Sequence, residues 1–106
     1  MNEGAERESQ EMALATFLNV ARELMRRGQE KEAEDLFKRA MTHAEVVAGE
    51  NSPLVGLVLM DMMDFYDHFK RQDEGKQLWT RLRHMLLAYL RTDEWGDGLA
   101  DCLEHN

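Results

Sequence analysis

The chain is 106 residues long, enough for one modest core and too short for two domains of ordinary size. With 43% hydrophobic and 32% charged residues, one proline and seven glycines, it falls outside the collagen-like, mucin-like and disordered classes, and eight methionines favour a helix-rich globular chain. Thirteen Lys and Arg against 21 Asp and Glu leave a net charge of -8, the wrong sign for counterion-release binding to nucleic acid or for attraction to an anionic membrane.

Four helical segments are predicted in chain order. Glu6 to Arg27 carries Met12, Leu14, Ala15, Phe17, Leu18, Ala21, Leu24 and Met25 at spacings of three and four, as one helix face requires. Gly28-Gln29 closes it, with Arg26 and Arg27 where cations suit the C-terminal dipole end. A second helix starts at Glu30, whose early turns are acidic, and runs through Leu36, Phe37, Ala40, His43, Ala44 and Val47 to stop at Gly49. Ser52 is a natural N-cap, and Pro53 suits the first helical position because its missing N–H has no intrahelical acceptor there. The third helix is predicted from Pro53 to about Arg71. After Gln72-Asp73, with Asp73 as N-cap, a fourth is predicted from Glu74 to about Leu90.

The lone Cys102 makes no intramolecular disulfide, and the acidic start, Met1 to Glu6, lacks the basic and apolar regions of a signal peptide. The longest apolar stretch, Val55 to Met63, is broken by Gly56 and Asp61 and is far shorter than a bilayer span. A cytoplasmic location is therefore expected.

Shifting the chain by 42 residues lays the first helix pair on the second. Phe17 falls on Leu59, Val20 on Met62, Leu24 on Tyr66, Ala33 on Gly75, Leu36 on Leu78, Phe37 on Trp79 and Arg39 on Arg81, and Glu32 on Glu74. The string Gly28-Gln29-Glu30-Lys31-Glu32-Ala33-Glu34-Asp35-Leu36-Phe37-Lys38-Arg39-Ala40 resembles the G-x-x-x-E-A-E-x-L-F-x-R-A core of the tetratricopeptide repeat (TPR). The 42-residue period and the Gly49 to Pro53 connector are closest to the kinesin light chain type, although Ser52 stands where that type has His; Phe17-Leu18-Asn19-Val20-Ala21 is similar to its L-N-N-L-A stretch. The resemblance covers roughly residues 12–91, more strongly in the first repeat. It implies an all-α domain of two helix-turn-helix repeats, about 6–49 and about 52–91, stacked in a right-handed superhelix, with an acidic amphipathic segment at 92–106.

The family keeps small residues where paired helices cross. Ala21, Ala33 and Ala40 agree, but the second repeat has Met63, Gly75 and Leu82, which implies a wider or differently angled second pair, or a terminal helix or partner against Met63 and Leu82. The resemblance further implies a protein-protein interaction module or adaptor that binds a partner's peptide or helix in its concave groove. Carried over by position, that groove shows Ala15, Leu18, Asn19, Arg22 and Arg26 from the first helix, and Leu57, Met60, Asp61, Asp64, Asp67 and His68 from the third. An asparagine at 19 can donate to and accept from a ligand backbone; its counterpart Asp61 only accepts when ionised. The basic and acidic walls can grip a ligand or pair with each other.

Catalysis is not expected. Asp61, Asp64, Asp67 and His68 share a face, but a di-metal bundle needs the motif repeated on another helix, and none is present. His43, His84 and His105 are isolated, Gly96-Asp97-Gly98 lacks the surrounding oxygen ligands of a calcium loop, and no nucleophile, base and orienter assemble from spacing. No metal, cofactor, nucleic acid or membrane is expected as a partner. Residues 92–106 hold Asp93, Glu94, Asp97, Asp101 and Glu104 with no Lys or Arg, while Trp95, Leu99, Cys102 and Leu103 recur at helical spacing. A capping helix with Thr92 as N-cap, a segment docked on a neighbouring copy and a frayed tail are the readings. Since two repeats rarely stack stably alone, the alternative function is a homo-oligomeric assembly protein, a homodimer at its simplest, with Trp79, Leu82, Leu86 and Trp95 at the interface. A third reading is a regulatory piece of a longer repeat protein.

Overall fold

The computed structural model describes residues 3–91, and these are helical apart from short connections: α1 Glu3–Arg26, α2 Glu30–Ala48, α3 Pro53–His68 and α4 Gln72–Arg91. The fold is all-α, built from two helical hairpins. The expectations for residues 92–106, including Thr92 as a cap and Trp95 as an interface anchor, lie outside the described residues.

Each connection obeys local chemistry. After α1, Gly28 takes a φ of 77°, Gly28 N–H donates to Met25 O at 3.0 Å and Gln29 N–H to Leu24 O at 2.9 Å, the paired bonds of a Schellman turn. Forty-two residues later the same turn recurs around Lys70, whose φ is 60°: Lys70 N–H donates to Asp67 O at 3.1 Å and Arg71 N–H to Tyr66 O at 2.7 Å. The left-handed Lys70 explains why α3 stops at His68 rather than continuing to Arg71. It also lets α4 begin at Gln72, so Asp73 lies in the first turn as a dipole-favourable acid and is not the N-cap expected from the sequence. Between the hairpins, Ser52 Oγ accepts from Val55 N–H at 3.2 Å, with Pro53 at the start of α3 as expected. Gly49, at φ 94° and ψ 157°, holds a conformation that side chains with a Cβ resist.

The core begins with small residues. Ala21, Ala33, Ala40 and Ala44 are fully buried, so α1 and α2 approach closely, while α3 and α4 pack together over a shorter stretch. Helix α3 supplies half of the large core side chains, Val55, Val58, Leu59, Met62, Phe65 and Tyr66, and lies against both α2 and α1. The Phe65 ring meets Phe37 at 5.5 Å between centroids, and Tyr66 and Phe69 at 5.1 Å each. Helix spacing also predicts Met12 and Ala15 for this face; both are exposed, because Leu14, Leu18 and Ala21 already turn one narrow stripe inwards.

Candidate functional site

Two surfaces carry the residues singled out in the sequence. The first lies where α1 and α3 run side by side. Arg22, one turn beyond Asn19 on α1, donates through Nη1 to Asn19 Oδ1 at 3.0 Å and through Nη2 to Asp61 Oδ2 on α3. The basic and acidic walls are thus tied to each other at this point, in a pair that is 44% exposed on the arginine and 18% on the aspartate. The carbonyl end of the Asn19 amide is taken by Arg22, so its two N–H donors are what a ligand would meet.

The other groove candidates divide. Leu18 is only 7% exposed and belongs to the core cluster, because it shares the inward stripe with Leu14 and Ala21; it is corrected from groove residue to core residue. Arg26 pairs with Glu23 on its own helix, and Glu23 also accepts from Arg27 Nε at 3.2 Å. Asp64 and Asp67 are exposed, but they line a cleft that opens towards α4 with Met63, Lys76 and Trp79. Met60 opens onto α4 as well, and the His68 ring stands edge-on to Phe69 at 4.8 Å. Only Asn19, Arg22 and Asp61 are therefore joined directly. Among the described residues, no group of three His, Cys, Asp or Glu side chains is placed to hold a metal, and no helix is long and apolar enough to cross a membrane.

The second surface is the outer face of the α3–α4 hairpin. An open, mainly apolar groove of about 360 Å³ runs along it, with Gly56, Leu57 and Met60 on one side and Leu82, Leu86 and Tyr89 on the other. Among the described residues, five of the eight exposed large apolar side chains, Leu57, Met60, Trp79, Leu86 and Tyr89, lie on these two helices, so the exposed apolar area is concentrated here. Of the expected interface anchors, Trp79 is 43% and Leu86 39% exposed, while Leu82, 8% exposed, forms the floor. Gly56 lies against that floor, where a Cβ would sit 3.8 Å from Leu82 Cδ1, an ordinary van der Waals contact.

A third constellation went unread in the sequence. Arg71, in the turn before α4, donates to Glu30 and Glu34 of α2 and to Glu74, at distances of 2.6–3.0 Å, and its guanidinium lies 4.8 Å from the centre of the Tyr66 ring. Tyr66 Oη donates to Glu34 Oε2 at 3.0 Å. Hydrogen bonds from Arg71 hold Glu34 and Glu74 below the ordinary carboxylate range, and these carboxylates push Arg71 upwards. Burial, and then the bond to Glu34, push Tyr66 up to about 12. The α2 partners stand 32 to 41 residues from Tyr66 and Arg71 in the chain, so local periodicity gives no sign of them. Midway along α4, Arg81 similarly reaches Glu45 at 2.8 Å and Glu50 O at 3.1 Å.

Compared with known proteins, the chain matches no family model, no curated sequence and no solved structure.

Proposed function

We propose that the chain is a TPR-like protein-interaction module that binds an extended peptide or helix of a partner protein along the α1–α3 surface, with no catalytic step. The observation that carries this reading is the placement of α3 against both helices of the first hairpin, which leaves α1 and α3 adjacent with Asn19, Arg22 and Asp61 on their shared surface. Such an arrangement supports side-by-side stacking of the two hairpins, as in a helical repeat. Asn19 supplies amide donors and the Arg22–Asp61 pair supplies both signs, a combination suited to a peptide backbone with few charged anchors. Residues 1–91 hold 16 acids and 13 bases, so most of the net charge lies in 92–106 and a groove ligand need not be basic. The test is affinity capture from a lysate by the wild type and by Asn19→Ala/Arg22→Ala, with binding of each captured partner then measured on both proteins. Partners should be lost from the double variant; if every specific partner binds both equally, the groove assignment is wrong.

The concentration of exposed apolar side chains on α3 and α4 favours a second reading, homo-oligomeric assembly through Trp79, Leu82 and Leu86. Sedimentation velocity separates the two: a monomer at tens of micromolar removes the assembly reading.

A further inference from the structure

The two hairpins differ in what covers their equivalent faces. In the first, five α2 residues, Ala33, Phe37, Ala40, Met41 and Ala44, are buried in a core to which α3 contributes. The shift of 42 carries these five onto Gly75, Trp79, Leu82, Arg83 and Leu86 of α4; Leu82 and Leu86 line the open groove, and Gly75 and Trp79 the cleft beside it. Phe37 is fully buried, whereas its counterpart Trp79 is 43% exposed. On α1, Leu14 and Leu18 are core residues; their counterparts Gly56 and Met60 line the groove. The second hairpin thus presents the kind of face that α3 covers on the first.

A chain leaving α4 at Arg91 starts at one end of that groove, because Tyr89 lines it beside Ser52 and Pro53, where α3 also begins. A shift of 40 residues aligns the start of α3 with the sequence beyond Arg91: Ser52 on Thr92, Val55 on Trp95, Leu59 on Leu99 and Met62 on Cys102. Val55, Leu59 and Met62 are three of the seven buried residues of α3; of the others, Gly56 falls on Gly96, while Val58, Phe65 and Tyr66 fall on Gly98, His105 and Asn106, so the match covers one narrow stripe. The shift of 42 that relates the hairpins would instead place Asp97, Asp101 and Glu104 at those inward positions, so the alignment selects a connector two residues shorter. Fourteen residues after Thr92, at about 1.5 Å each, span about 21 Å as a helix, close to the length of α3. Charge agrees with the match. Residues 92–106 carry five carboxylates and no Lys or Arg, while Lys76 has no ion pair and Arg83 Nε is buried without a hydrogen-bond partner among the described residues. Arg83 stands one turn from both Trp79 and Leu86 and so shares their side of α4.

We infer that residues 92–106 of the same chain are the occupant of the α3–α4 groove, lying parallel to α3 with Trp95, Leu99 and Cys102 against it. The tether holds the segment at the mouth of its site, an advantage in effective concentration that a second copy lacks.

Cys102 is the single cysteine, so a second one reports the docking directly. In the full chain, Met63→Cys faces the predicted position of Cys102, and Gln77→Cys stands at similar height on the opposite side of α4. Oxidation with diamide should form an intrachain disulfide in Met63→Cys on the order of tenfold faster than in Gln77→Cys, since the bond needs Cα atoms within about 7 Å. Equal rates, or disulfides formed only between chains, would overturn the inference, the latter in favour of a second copy. An independent measurement uses Trp79→Phe, which leaves Trp95 as the single tryptophan: docking gives a blue-shifted emission protected from acrylamide, unchanged on dilution. Emission typical of a water-exposed indole at every concentration would overturn it.

Discussion

Lys70 occupies the position that Gly28 fills in the first hairpin and takes the left-handed conformation that costs a residue with a Cβ about 1–2 kcal/mol. The turn bonds on either side hold it there and bring Arg71 into its cluster of carboxylates. Lys70→Gly should therefore raise stability by about 1 kcal/mol, and Gly28→Ala, which meets nothing within 4 Å, should lower it by a similar amount through conformation alone. Urea midpoints at constant slope measure both. The Arg71 cluster makes stability depend on pH at two ends. Glu34 and Glu74 have folded-state values below their unfolded ones, so their contribution is present above the ordinary carboxylate pKa and is lost as pH falls through that range. Tyr66 is raised from 10.0 to about 12, so its contribution is complete below 10 and is lost as pH rises from 10 to 12, where a phenolate would face Glu34. Tyr66→Phe should flatten the alkaline limb of stability against pH, and Glu34→Gln the acid limb; unchanged limbs would remove the cluster from the account.

At the scale of elements, the caps and breakers are legible in the sequence and the helix ends less so. Ser52-Pro53 and Gly49 mark the boundary between hairpins because their chemistry is local: an oxygen that accepts an orphan N–H, a ring that has no N–H to lose, and a backbone without a Cβ. The end of α3 lies three residues before the sequence expectation because lysine gives no local sign of a left-handed turn; the position is set by Phe65, Tyr66 and Phe69 packing on either side of it. Phe65 is the element-scale anchor. It is fully buried and joins Phe37 of one hairpin to Tyr66 and Phe69 of the other. Phe65→Ala should cost about 3–5 kcal/mol and separate the unfolding of the hairpins, seen as a broadened thermal transition, whereas Val46→Ala, at an exposed position on α2, should stay within about 0.5 kcal/mol.

At the scale of the molecule, the two surfaces have different characters. The α1–α3 surface is polar and carries its own cross-helix ion pair, and the α3–α4 surface is apolar with a buried floor. Asn19→Ala should leave the folded structure intact, since its amide is an exposed partner of Arg22, and should alter only recognition; circular dichroism and peptide binding separate these outcomes. Asn19, Arg22 and Asp61 are legible as neighbours because a repeat period relates one helix position to the next, and their residue types indicate mutual pairing as one use. Leu18 is not legible in the same way, because a helix position next to a groove residue can turn either way, and only packing decides which. By itself, the sequence determined four helices, their pairing into two hairpins and the boundary between them, since periodicity and capping act over a few residues. Only the tertiary structure decided which apolar stripe was covered, which carboxylates Arg71 gathers and which face remains open. Those outcomes depend on side chains brought together from 30 to 40 residues apart, where no local preference reaches.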